Sequence, residues 1–199
     1  MDADLLNSLT ARRGHFLLES GYHTDFWFSL DALFVEPELV ETHITRLAEL
    51  LRAHDVSAIC GPLLGGAFLA QALAGQMKLR FYYTQPVAAE TANEAGLFST
   101  RYSLPDGLIR RVGNERVAIV DDFISAGSSV RATAEALTKA GATVEVVGTL
   151  MLLGNEAVSY FSERSIPVVS CAQKKFDLWP PDNCPLCQTG VSLENLFSE

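Results

Sequence analysis

An apolar run, Val117-Ala118-Ile119-Val120, ends in two adjacent acids, Asp121 and Asp122, and passes through Phe123-Ile124-Ser125-Ala126-Gly127 into Ser128-Ser129-Val130. Small residues between a strand and a helix let several backbone N–H groups converge on one anion, and the helix's unsatisfied first-turn donors strengthen the attraction. Ser125, Ser128 and Ser129 add hydroxyl donors. Two carboxylates would repel a bare phosphate. They suit a sugar phosphate, whose hydroxyls donate to them. The acids also fall at a strand's carboxyl end, where open α/β sheets place ligands.

The bland reading of this segment is an N-capped strand–helix turn. A response-regulator acidic pocket is a second, but it lies near a domain's start and has no need of the serine cradle. Walker A and dinucleotide fingerprints are absent. A second glycine-rich turn, Cys60-Gly61-Pro62-Leu63-Leu64-Gly65-Gly66, follows an earlier apolar run, and Phe26-Trp27 offers aromatic faces for a flat ligand.

The elements that must position these residues follow from periodicity. Apolar runs at 56–60, 79–83, 117–120, 144–153 and 166–169 alternate with helical patterns over 66–76, 128–140 and 155–163. This predicts an α/β fold, a five-stranded and mainly parallel sheet flanked by helices on both faces. Glu36-Pro37-Glu38 opens an earlier helix, with Val40, Ile44, Leu47 and Leu51 on one face. Leu5, Leu6 and Leu9 suggest a short first helix ending before Gly14, and 15–18 with 25–30 read as a hairpin. Residues 84–115 read as an irregular excursion of the kind that is functional or mobile. The chain is expected to be a single domain over 1–199, with a core at 56–170 and a small hood from 14–34 and 171–199.

Composition narrows the function. Fifteen basic and twenty-four acidic side chains give a net charge of −9. That balance argues against nucleic acid, whose affinity rests on phosphate neutralisation. Residues 56–77 carry no charge, but Gly61-Pro62 and Gly65-Gly66 divide them, so no membrane span is expected. Acid at Asp2 and Asp4 and four cysteines without an export signal point to the cytoplasm.

The Val117–Val130 segment resembles the phosphoribosyl diphosphate (PRPP) motif of type I phosphoribosyltransferases, and Cys60–Gly66 resembles that family's pyrophosphate loop. His15-Phe16-Leu17-Leu18-Glu19-Ser20-Gly21-Tyr22-His23-Thr24-Asp25, followed by Asp31-Ala32-Leu33-Phe34, is similar to the amino-terminal hood of the orotate branch. The resemblance implies transfer of ribose 5-phosphate from PRPP to a nitrogen base, with release of pyrophosphate. It implies PRPP binding by Asp121, Asp122, Ser125, Ala126, Gly127, Ser128 and Ser129, with Leu63, Leu64 and Gly65 on the pyrophosphate. Asp121, Asp122 and Arg101 are the expected catalytic residues, and Phe26, Trp27, Glu19 and Ser125 are expected around the base. Mg²⁺ enters with PRPP, held mainly through substrate oxygens rather than by protein ligands. A homodimer is expected.

The chain departs from the orotate pattern in its charges. The stretch 84–115, matching a catalytic loop rich in lysine and histidine, contains neither, and its cations are Arg101, Arg110 and Arg111. Glu19 stands where the hood carries lysine, and Gly154-Asn155 where an arginine would grip orotate's carboxylate. Orotate is therefore expected to be a poor substrate or to depend on Arg101, unless Glu19 recognises a neutral or cationic base by accepting its hydrogen bonds. A non-catalytic PRPP-binding regulator is the alternative, although the chain offers no DNA-binding segment. The tail, Trp179-Pro180-Pro181-Asp182-Asn183-Cys184-Pro185-Leu186-Cys187, resembles a carboxy-terminal hood segment of some orotate relatives. Its cysteines read as small buried residues of a knuckle-like turn. Cys171 is a possible third ligand but all four histidines lie at or before His54, so no metal is assigned to them, and one shared across a two-fold dimer stays open.

Overall fold

Buried apolar runs become the strands of two sheets in the computed structural model, which describes residues 10–29, 34–35, 37–87 and 97–195. The larger sheet contains β3 (Ala58–Pro62), β4 (Arg80–Pro86), β5 (Tyr102–Ser103), β6 (Arg116–Ile124), β7 (Thr143–Leu153) and β8 (Val168–Lys174), in the order β5-β4-β3-β6-β7-β8. All pairings are parallel except β4–β5, where Pro86 opposes Tyr102 in an antiparallel bridge. Among the described residues the sheet thus has six strands rather than five. The sixth lies inside 84–115, of which 88–96 fall outside the described residues and the described part also forms α3 (Asp106–Val112). Two residues are too short a run for a period to register.

Helices cover both faces, as near-continuous apolar strands require. On one side α1 (Pro37–Leu51) and α2 (Gly65–Met77) pack Leu47, Leu51, Leu69 and Leu73 against Ile59, Val120 and Leu150. On the other, α3, α4 (Ser128–Lys139) and α5 (Glu156–Ser162) bury Val112, Val130, Leu137 and Phe161 against Ile119 and Val147. Gly61 is forced by packing, because a Cβ there would sit 2.0 Å from the Gly66 carbonyl oxygen of α2.

The smaller sheet, in the order β2-β1-β9, pairs β1 (Thr10–Leu17) antiparallel with β2 (His23–Ser29), and β1 parallel with β9 (Glu194–Asn195). Residues 10–13, expected to close a first helix, are strand. Leu5, Leu6 and Leu9 lie outside the described residues, as do 30–33 of the expected hood. The tail joins this sheet after β8. His23 and Trp179 exchange two backbone hydrogen bonds of 2.8 and 2.9 Å, and Pro185–Gln188 form a one-turn helix, α6. Cys171, placed in the hood by sequence, belongs instead to β8, with its thiol 3.5 Å from the His43 carbonyl oxygen.

Candidate active site

β6 carries Asp121 and Asp122 to the carboxyl end of the sheet, where they line a cavity of about 470 Å³. Thr149 of β7, opposite Asp121 in register, donates its hydroxyl to the Asp122 carbonyl at 3.0 Å and fixes the strand's end. Ser129 donates to Asp121 Oδ2 at 2.8 Å, and the Asp122 amide donates to Asp121 Oδ1 at 3.1 Å. Burial and the neighbouring Asp122 charge push the Asp121 carboxyl well above the ordinary carboxylate range, and Ser129 only partly offsets this. Two adjacent buried acids disfavour double ionisation.

The turn after β6 is open to an anion because its helix is not capped by a side chain. Gly127, the N-cap residue of α4, has φ +83°, and no side chain hydrogen-bonds into the first turn. A Cβ at Gly127 would lie 3.0 Å from Ala157 Cβ as well as being strained, so glycine is required there. The serine hydroxyls point elsewhere, Ser129 to Asp121 and Ser128 to Glu19 Oε2 at 3.3 Å. The capping reading of these serines therefore fails, and the first-turn N–H groups keep their capacity for a ligand.

Across the cavity, the β3–α2 turn brings Pro62, Leu63, Leu64 and Gly65 to its wall, with a cis peptide between Leu63 and Leu64. Both glycines of this turn admit the acids. A Cβ at Gly65 would sit 2.2 Å from Asp122 Oδ2, and one at Gly66 2.6 Å from Asp121 Oδ1. The third wall comes from the hood and tail, with Leu18, Glu19, Ser20, Phe26, Trp27, Phe28 and Phe176.

Strand alternation sorts these aromatics. Phe26 and Phe28 share a face, 4.7 Å apart, and Phe28 contacts Phe123. Trp27 lies 6.3 Å from the buried Phe16. Lys174, at the end of β8 beside Leu153, holds its ammonium 4.7 Å from the Phe26 ring centre and 5.2 Å from that of Phe28. Glu19 accepts from the Tyr102 hydroxyl at 2.9 Å as well as from Ser128, and burial raises its carboxyl despite both donors.

Comparison with known proteins agrees with this geometry. Residues 35–182 match the phosphoribosyl transferase domain. The chain belongs to the phosphoribosyltransferase family. Among its relatives, the orotate phosphoribosyltransferase of Thermotoga petrophila is 31% identical over 91% of this chain and 88% of its own. That of Helicobacter pylori is 27% identical over 94% and 93%. The fold is shared with orotate phosphoribosyltransferase from Aeropyrum pernix (TM-score 0.64, 23% identity, 87% and 93% covered) and with adenine phosphoribosyltransferase from Rhodothermus marinus (0.67, 19%, 86% and 97%). This enzyme is a type I phosphoribosyltransferase, most similar to the orotate branch. No helix among its described residues is long and apolar enough to cross a membrane.

Most of the expected site residues meet in the cavity of this phosphoribosyltransferase. Glu19, Phe26, Trp27, Leu63, Leu64, Gly65, Asp121, Asp122, Ser125, Gly127, Ser128 and Ser129 all line it. Ala126 does not, being fully buried in the turn. Arg101 is exposed and outside the lining, while its neighbour Tyr102 points in. Gly154 and Asn155 form the turn after β7, where Asn155 accepts from Gln173 at 3.1 Å. Sequence reasoning missed Phe28, Phe176 and Tyr102 in the lining, and Lys174 over the aromatic rings beside it. For Lys174 the usable signal was that a parallel β8 ends level with β7, but the apolar pattern of β8 stops at Val169, short of the strand's real end.

Proposed function

We propose that this phosphoribosyltransferase transfers the 5-phosphoribosyl group of PRPP to orotate. One cavity joins the paired acids, two glycine turns and an aromatic wall, and Lys174, outside the lining, stands over the Phe26 and Phe28 rings of that wall; this juxtaposition supports the reading. The Ser125–Ser129 turn and the α4 first turn hold the 5′-phosphate through N–H donors. Asp121 and Asp122 accept from the ribose hydroxyls, and the Leu63–Gly65 turn faces the pyrophosphate. Phe26 and Phe28 cover the face of the base, and the Lys174 ammonium pairs with the carboxylate that distinguishes orotate from uracil.

In the transfer, the C1′–O bond to pyrophosphate breaks, its electron pair leaving on pyrophosphate. The ring nitrogen of the base forms the C1′–N bond and gives up its proton. Positive charge develops on the ribose between these events. The acid pair lies where that charge appears, and a carboxylate fixed in a water-poor cleft stabilises it strongly. Among the described residues lining the cavity none is Lys, Arg or His, while three are acids, so a polyanionic substrate calls for accompanying positive charge. The hard carboxylate oxygens of Asp121 and Asp122 fit Mg²⁺. Bound with PRPP, it would neutralise the pyrophosphate oxygens. Glu19 faces the cradle serine rather than the aromatic wall, so it does not oppose an anionic base.

Steady-state kinetics against a panel of nucleobases tests the reading. Orotate is expected to turn over with kcat/KM above about 10⁴ M⁻¹s⁻¹, far ahead of uracil and adenine. Preference for a neutral base would overturn the assignment, and absence of turnover with intact PRPP binding would favour the regulator.

A further inference from the structure

Far from the acid pair in the chain, four soft ligand atoms converge beneath the β1–β2 turn. They are His15 Nε2, His23 Nδ1, Cys184 Sγ and Cys187 Sγ, all within 4.8 Å of one another. His15 Nε2 lies 3.0 Å from His23 Nδ1, 3.4 Å from Cys184 Sγ and 3.7 Å from Cys187 Sγ, and Cys187 Sγ lies 3.3 Å from His23 Nδ1. Ordinary zinc bond lengths place tetrahedral ligands about 3.3 Å apart for two nitrogens and about 3.5 Å apart for nitrogen and sulfur. The cluster matches that spacing.

Its outer contacts prepare it for a cation. His15 Nδ1 is 2.9 Å from the Val191 carbonyl oxygen, which can only accept, so Nδ1 carries the hydrogen and Nε2 presents its lone pair to the cluster. The His23 backbone is clamped by Trp179 in both directions. The knuckle is held by Gln188 N–H on Cys184 O at 3.2 Å and Gly190 N–H on Cys187 O at 3.1 Å. His15, His23 and Cys184 are buried, and exposed Cys187 leaves a route of entry. Two imidazoles and two thiols crowded together serve no packing purpose that aliphatic side chains would not serve better.

We propose that His15, His23, Cys184 and Cys187 bind a structural Zn²⁺ that staples the tail to the hood hairpin. The ligand set, two imidazoles and two thiolates, suits tetrahedral zinc over a hard cation. The role is positional, because the two histidines sit at the feet of the β1–β2 turn, whose Leu18, Glu19 and Ser20 line the cavity, and the two cysteines belong to the tail. On binding, the two thiols lose their protons to solvent and no electron is transferred.

The test is metal analysis of the purified, reduced full chain, with cobalt substitution as a spectroscopic check. One zinc per chain is expected, and a thiolate-to-cobalt charge-transfer band after exchange. Cys187→Ser, exposed and therefore tolerated by the fold, should cut the zinc retained through dialysis at least tenfold. Cys184→Ser/Cys187→Ser should abolish the cobalt band. Less than a tenth of an equivalent in folded protein, zinc unchanged in both variants, or a Cys184–Cys187 disulfide by thiol titration would each overturn the assignment. Metal content is read without turnover, so this result stands apart from the choice of base.

Discussion

The end of the cavity proposed for the 5′-phosphate comes from one continuous stretch, Asp121 to Ser129, whereas the end proposed for the base is assembled from the β1–β2 turn, β2 and Phe176, with Lys174 of β8 over its aromatic rings. The first is a strand, a turn and a helix start, and its hydrogen bonds span eight residues or fewer within the stretch. The second depends on contacts such as Cys187 with His23, 164 residues apart, and His15 with Val191, 176 apart. A short-range unit is held by its own backbone geometry. A long-range one exists only while the hood sheet and tail stay docked, and local opening is easiest in such peripheral units. Perturbing the base end should therefore change base affinity while sparing PRPP, and the reverse should hold at the phosphate end.

Asp122→Asn should give the largest effect, lowering kcat/KM at least a hundredfold. Calorimetry with Mg²⁺ should show PRPP binding at least tenfold weaker, a loss of about 1.4 kcal/mol. Unchanged PRPP affinity would place the sugar phosphate elsewhere. Lys174→Met should raise the KM for orotate about ten- to hundredfold, the range for losing a charge-assisted contact of about 1.5–3 kcal/mol. The KM for PRPP should stay within twofold, and a parallel rise in both would erase the distinction between the two ends.

Asp121→Asn separates function from stability at the phosphate end. The Asp121 carboxyl is raised in the folded protein. The folded state therefore binds more protons than the unfolded chain from about pH 4 upward, and stability declines as pH rises through the folded value. Removing the charge should raise Tm at pH 7, by about 2–4 °C for each kcal/mol gained, while activity falls. The gain should shrink below pH 4, and thermal melts at both pH values check the sign. Arg101→Ala should have the smallest effect, changing kcat/KM for orotate less than about threefold, because Arg101 is exposed outside the cavity. A larger kcat loss in steady-state assays would show that its segment closes over the substrate.

Much of the phosphate end was legible from residue order alone. Apolar strand, paired acids, small-residue turn and helix are adjacent in the chain, and their chemistry depends on local backbone geometry. The parallel strands and their helices were legible for the same reason, since burial on both faces writes itself as apolar runs separated by amphipathic segments. The two-residue β5 was not, nor the full length of β8, where Ser170, Cys171 and Gln173 interrupt the apolar pattern.

The base end shows what only the tertiary structure decided. No spacing relates Lys174 to Phe26, or His15 to Cys184. Their meeting follows from the docking of a hairpin and a tail whose pairing is set by backbone hydrogen bonds between His23 and Trp179 and between β1 and β9. The sequence by itself determined the strand that ends in paired acids and the small-residue turn that follows it, the pattern that marks the family. The fold decided which side chains stand beside that turn and how the hood meets the tail, because a contact between distant parts of the chain depends on every intervening element and on no local pattern.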